Sequence, residues 1–217
     1  MIKKIILFIL ILIFYNCGYI EIKNKNLIKP HFETQKSLIL NQSSISFNTT
    51  FKVYEFKEND INKKNNILFK ITKKNNITDK NYEIKNLKNN DIFILEEIDQ
   101  NSFYIKDKNN KIISIIKNLY TNEYLNFEFN YNNKEYLLVG EQNELNNNTI
   151  YYITYKILKK RDKNKNLGYI YKQFYYMKNE YDIIINKNLN ELNEDIFIIL
   201  TIFIDDILKK NGFFYRN

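Results

Sequence analysis

The sequence predicts a mainly β protein: a closed antiparallel β-barrel of roughly twelve strands around a buried C-terminal helix. Three observations carry that prediction. From residue 37 to residue 186, short apolar segments recur at intervals of about 8–12 residues, the rhythm of a sandwich or barrel. Many of them alternate apolar and polar residues, which calls for antiparallel pairing with one buried face. Between Ile196 and Ile204 only Thr201 is polar, so a helix built there is apolar on every side and belongs in a core or a membrane. The apolar run is shorter than the ~20 residues a membrane-spanning helix needs. Placed after a long series of one-faced strands, such a helix is housed most simply inside a closed barrel. Closure also removes the exposed strand edges.

The chain begins with a short basic segment containing Lys3 and Lys4, followed at residues 5–14 by ten consecutive apolar residues, the length of a signal-peptide core rather than of a membrane span. Tyr15-Asn16-Cys17-Gly18 comes next, with the single cysteine where a signal peptidase would cut. This resembles a bacterial lipobox, in which the cysteine becomes the first mature residue and carries acyl chains on its sulfur and amino group. Phe14 and Asn16 stand where the usual lipobox has Leu and a small residue, so the motif is a relaxed one. The same residues also fit an ordinary signal peptide with an incidental cysteine, or an uncleaved N-terminal anchor. On the lipobox reading, residues 1–16 are the signal peptide, residues 17–36 a lipidated tether and residues 37–217 the barrel domain. Two or three acyl chains hold a protein stably to a bilayer, which one does not. The tether is polar, weakly periodic, and contains Pro30 and His31, the chain's single proline and histidine. One cysteine leaves no internal disulfide framework.

The strands follow in order. Residues 37–40 and 45–47 lead into residues 51–57. In residues 67–72, Ile67, Phe69 and Ile71 share a face. Tyr82 and Ile84 alternate with Glu83 and Lys85, and residues 91–97 form a short hydrophobic strand. Residues 103–106 and 111–117 flank Asp107-Lys108-Asn109-Asn110, a hairpin signal. Residues 124–131 set Leu125, Phe127, Phe129 and Tyr131 against Tyr124, Asn126, Glu128 and Asn130. Asn132-Asn133 then turns the chain into residues 134–139. Residues 150–158 alternate Tyr151, Ile153, Tyr155 and Ile157 against a more polar face. A basic loop at residues 159–165 precedes strands at 167–174 and 181–186. With four glycines and one proline in 217 residues, turn-making falls to asparagine, which tolerates the left-handed conformation. The helix is expected over 193–210, with Asn193 as N-cap, Glu194 and Asp195 at the positive end of the dipole, Lys209 and Lys210 at the other, and Gly212 as stop.

Gly168-Tyr169-Ile170-Tyr171-Lys172-Gln173-Phe174, then Asn179-Glu180-Tyr181-Asp182-Ile183-Ile184-Ile185, then Asp195-Ile196-Phe197-Ile198-Ile199-Leu200-Thr201-Ile202-Phe203-Ile204-Asp205 resembles the end of the tubby-like superfamily, in the branch of the LURP-one-related proteins and phospholipid scramblases. Residues 102–116 fit an earlier hairpin of that pattern more loosely. The resemblance implies a twelve-stranded antiparallel barrel around a central C-terminal helix. Its phosphoinositide-binding basic patch has no matching lysine–arginine motif here. The acidic segment that binds calcium in scramblases is not carried over either. Asp205 and Asp206 stand at the helix end, but adjacent acids project about 100° apart and make a poor cage.

The formal charge is +8, and without Lys3 and Lys4 of the leader 31 basic face 25 acidic residues, well interspersed. The glycines are scattered, so no phosphate-binding loop forms. Neither a Ser–His–Asp nor a Cys–His arrangement is available in the domain, and one histidine makes no metal site. Glu96 and Glu97 are adjacent on a strand and face opposite sides. Lys159, Lys160, Arg161, Lys163 and Lys165 are the candidate contact with anionic lipid, and outward tyrosines such as Tyr124 and Tyr152 could form a binding face. The reading is a lipid-anchored bacterial envelope protein with its domain outside the cytoplasm, acting as a non-catalytic binding or structural module, with no cofactor, metal or nucleic-acid partner. The alternative is a phospholipid-binding or lipid-handling protein that uses its basic face.

Overall fold

The twelve strands close into a single up-and-down barrel, each antiparallel to both neighbours, with the first paired to the second on one side and to the twelfth on the other. In this computed structural model the described residues are 32–43, 50–56, 67–75, 80–99, 102–120, 123–144, 151–175, 178–189 and 191–211. The strands are β1 (Gln35–Ser43), β2 (Thr50–Glu55), β3 (Ile67–Asn75), β4 (Lys80–Asn86), β5 (Ile92–Asp99) and β6 (Ser102–Asp107), then β7 (Ile112–Tyr120), β8 (Glu123–Tyr131), β9 (Lys134–Glu144), β10 (Tyr151–Lys159), β11 (Asp162–Tyr175) and β12 (Lys178–Asn186). The helix α1 (Glu194–Lys210) follows. The expected segment 45–47, the leader with Cys17, and the tether through His31 lie outside the described residues. The side chains of Tyr124 and Tyr152 also lie outside them.

Side-chain alternation decides which face of each strand is inside. Phe51 and Val53, Phe69 and Ile71, Tyr82 and Ile84, Phe103 and Ile105, Phe127 and Phe129, and Ile183 and Ile185 are all buried on the inner face. Lys52, Lys70, Lys117 and Asn130 point to solvent on the outer one.

Asparagine makes the turns, as its abundance predicts. Asn90, Asn110, Asn132 and Asn133 have φ of 61°, 62°, 48° and 58°. Asn132 and Asn133 form the two-residue loop between the paired Tyr131 and Lys134, and positive φ at both positions matches the right-handed strand twist. In the β6–β7 turn the Asp107 carboxylate accepts hydrogen bonds from the backbone N–H groups of Asn109 (2.8 Å) and Lys111 (3.0 Å).

Inside, every residue of α1 from Asp195 to Leu208 is buried. Phe203 meets Phe103 and Phe127 edge to face, with centroids 5.1 and 4.7 Å apart. Thr201, the one polar residue of the apolar run, donates its hydroxyl to the Phe197 carbonyl at 2.7 Å. Gly168 in β11 lets the helix approach: a Cβ there would sit 2.5 Å from both the Ile184 carbonyl oxygen and the Phe197 ring. Asn193 accepts from the Ile196 N–H at 3.3 Å as N-cap. Asn211 takes the C-cap and donates its side-chain amide to the Ile207 carbonyl at 2.8 Å; Gly212 lies outside the described residues. The N-terminal end of α1 shares a rim with the start of β1 and with the β4–β5, β6–β7, β8–β9 and β10–β11 turns. Its C-terminal end reaches the opposite rim.

Candidate functional site

Three of the four buried carboxylate or ammonium side chains among the described residues, Lys172, Asp205 and Asp206, meet where α1 ends. Consecutive helical positions diverge by about 100°, so the two carboxylates address different sectors of the wall. Asp205 faces β11 and β12. It accepts from the Tyr181 hydroxyl at 2.9 Å, pairs with the Lys209 ammonium, and lies 3.7 Å from Lys172 Nζ. Lys172 and Asp205 are both 0% exposed, and Lys172 Nζ sits 3.9 Å from the centroid of the Tyr181 ring. Asp206 faces β3 and β4. It accepts from the Tyr82 hydroxyl at 2.6 Å, lies 3.5 Å from Lys73 Nζ and pairs with Lys210, which in turn reaches Glu97 at 2.8 Å. Lys209 also donates to Gln42 Oε1 at 3.1 Å. Lys209 and Lys210 thus meet the negative end of the helix dipole as well as the acids.

Burial and charge shift the acid–base balance in this cluster. Burial pushes the Lys172 amine down to about 7; Asp205 opposes that shift and Lys209 reinforces it. Burial and then the neighbouring acids raise the phenols of Tyr82 and Tyr181. For Asp206, burial alone works upward, but the bonds from Lys210 and Tyr82 and the charges of Lys210 and Lys73 outweigh it and leave the carboxyl below its usual range. Tyr155, beside this cluster in β10, is raised by burial, and its hydroxyl has no hydrogen-bond partner among the described residues. An amine of lowered basicity is in principle a nucleophile. Lys172, however, is enclosed between a carboxylate and an aromatic ring, and what the cluster does is clamp the end of the helix to two sectors of the barrel.

At the other rim Asp195 is buried against Asn86, whose side-chain amide donates at 2.7 Å, and burial raises its carboxyl. The basic residues singled out in the sequence also lie at this rim. Lys159 reaches Glu191 at 3.1 Å, and Lys134 reaches the same carboxylate at 3.4 Å. Lys160 sits 2.9 Å from Glu128 and 3.7 Å from Glu135, and Lys165 sits 3.4 Å from Asp162. Arg161 and Lys163 are exposed. The loop is shorter than it looks in sequence, because β11 begins at Asp162. Glu96 pairs with Lys106 while Glu97 turns toward Lys210, so these adjacent acids do diverge. A polar recess of about 200 Å³ beside β1 is lined by Gln35, Lys36, Ser37, Glu55, Phe56 and Lys187.

Sequence reasoning passed over Lys172 as a buried group. The signal was present: Lys172 continues the inward parity of Gly168 and Ile170, two and four residues earlier. Among the described residues no group of three His, Cys, Asp or Glu side chains could hold a metal ion, and no helix is long and apolar enough to cross a membrane. No family model matches the chain, and no curated protein matches it.

Proposed function

We propose that this protein is a membrane-anchored bacterial lipoprotein of the tubby-like type, whose barrel serves as a non-catalytic binding or structural module at the cell envelope. The observation that carries the module reading is the filled lumen: α1 occupies the barrel from Asp195 to Leu208 with every residue buried. Recognition therefore falls to the outer wall and the rims. A closed barrel of twelve antiparallel strands around a C-terminal helix is also the architecture that the resemblance at residues 168–205 implies. The membrane part rests on the basic and apolar residues 1–14 followed by Cys17. The alternative, lipid handling through residues 159–165, is weakened because Lys159, Lys160 and Lys165 each lie against a carboxylate. Growing cells with a clickable fatty acid should label the wild-type protein and leave Cys17→Ser unlabelled. Equal labelling of the two removes the lipoprotein reading.

A further inference from the structure

Lys172 and Asp205 set an amine against a carboxyl group where water does not reach. Lys172 sits opposite Tyr181 in the β11–β12 ladder, and both side chains point inward to the turn of α1 that carries Asp205. All three are fully buried, with Lys172 Nζ 3.7 Å from Asp205 Oδ1 and 3.9 Å from the centroid of the Tyr181 ring. Reacting atoms poised for attack stand about 3–3.5 Å apart, so the pair is a small side-chain shift from that arrangement. The two carboxyl oxygens have different partners. Oδ1 accepts from the Tyr181 hydroxyl at 2.9 Å, and Oδ2 pairs with the Lys209 ammonium. Burial holds the Lys172 amine at about 7, so at neutral pH a large share of it is uncharged and nucleophilic.

We propose that Lys172 and Asp205 join as an intramolecular amide, a covalent bond between β11 and α1 that forms in the folded chain. In the step, Lys172 Nζ attacks Asp205 Cγ and the Cγ–Oδ2 bond breaks. Oδ2 leaves as water, taking one proton from the attacking amine and one from Lys209. Lys209, whose side chain is 31% exposed, regains its proton from solvent. No oxidant, metal or cofactor enters the balance. The Tyr181 hydroxyl stays on Oδ1 and steadies the charge that builds there during attack. The dry surroundings favour the product, because a neutral amide and a released water replace a buried charged carboxylate. With one cysteine in the chain, no internal disulfide can tie the helix to the wall, and an amide holds in any redox environment. A carboxyl group held against an ammonium is a weak electrophile, so linking is slow beside folding. Freshly folded protein therefore carries the ion pair and a titratable Lys172, and aged protein carries the amide.

The test uses the full chain, sampled at intervals after synthesis, then denatured and digested with trypsin. Mass spectrometry should find residues 166–178 joined to residues 188–209, lighter by one water than the two peptides together, with fragment ions placing the bond between Lys172 and Asp205. The joined peptide should accumulate with time in folded protein. A chain held in urea from the start should gain none over the same interval. Lys172→Met leaves Asp205 its partners Tyr181 and Lys209, so it should fold and yield only separate peptides. Lys209→Gln should slow linking by about 100-fold, the lower end of what a positioned proton donor contributes. Complete cleavage after Lys172 in aged wild-type protein, giving 166–172 and 173–178, overturns the proposal. So does a bond that maps to Lys209 instead, a joined peptide that persists in Lys172→Met, or equal linking in urea. An unchanged rate in Lys209→Gln overturns the proton route.

Discussion

Replacing Asp205 with Ala isolates what the charged cluster contributes. The change removes the acceptor for the Tyr181 hydroxyl, the partner of Lys209 and the counter-charge 3.7 Å from Lys172. Lys172 is then left fully buried without its carboxylate. Breaking a buried pair from one side costs about 3–5 kcal/mol, a large part of the 5–15 kcal/mol that holds a typical domain folded. At roughly 2–4 °C per kcal/mol for a chain of this size, the melting temperature should fall by about 6–20 °C. Lys172→Met makes the informative contrast. It removes the desolvated amine, while Asp205 keeps Tyr181 and Lys209 as partners. Its expected cost is within about 1 kcal/mol, or a small gain, because an apolar chain of similar volume avoids the desolvation. Urea unfolding followed by circular dichroism measures both. If Asp205→Ala costs less than about 1 kcal/mol, or if Lys172→Met is as costly as Asp205→Ala, the cluster is not what fixes the helix end.

Further outcomes follow from the same structure. The folded Lys172 releases its proton above about 7 while the unfolded lysine keeps its own until 10.5, so stability should rise with pH between those values, by up to about 1.4 kcal/mol per pH unit, and Lys172→Met should flatten the rise. Above about 10 the raised phenols of Tyr82 and Tyr181 act in the opposite sense, since the folded state then binds more protons than the unfolded one. Phe203→Ala should cost about 3–5 kcal/mol in the same unfolding assay, as it empties the space against Phe103 and Phe127. Gly168→Ala should cost about 1–3 kcal/mol, because the Ile184 backbone oxygen 2.5 Å away cannot move aside as a side chain could. Asn132→Ala should cost about 1–2 kcal/mol for its left-handed backbone, while Asn132→Gly should be nearly neutral; thermal melts of the two would separate them.

Much of the fold could be read from the residues, because barrel and helix rest on two local periodicities. Ile67, Phe69 and Ile71 announce an inward face by period two, and the apolar run from Ile196 announces a helix with no solvent side. Asn132-Asn133 announces its turn by the one property that separates asparagine from most residues, its tolerance of positive φ. The charged cluster was harder to see. Asp205 and Asp206 look like a polar helix end, and only the closed wall, with Tyr181 and Tyr82 on different strands 24 and 124 residues away, turns that end into a buried one. Likewise residues 159–165 look in sequence like a free basic loop. Their carboxylate partners Glu128, Glu135 and Glu191 are up to 32 residues distant; strand pairing brings the first two near, and the turn before α1 brings the third. Local pattern carries fold; sites assembled across the barrel depend on register.

The most direct measurement of the proposed function is the intact mass, with N-terminal peptide sequencing, of the protein extracted from membranes of the producing cell. The account predicts a chain beginning at Cys17, lacking residues 1–16 and carrying a diacylglycerol together with an amide-linked acyl chain or a free amino group. A mature protein that retains Met1, or begins elsewhere with its cysteine unmodified, would contradict it.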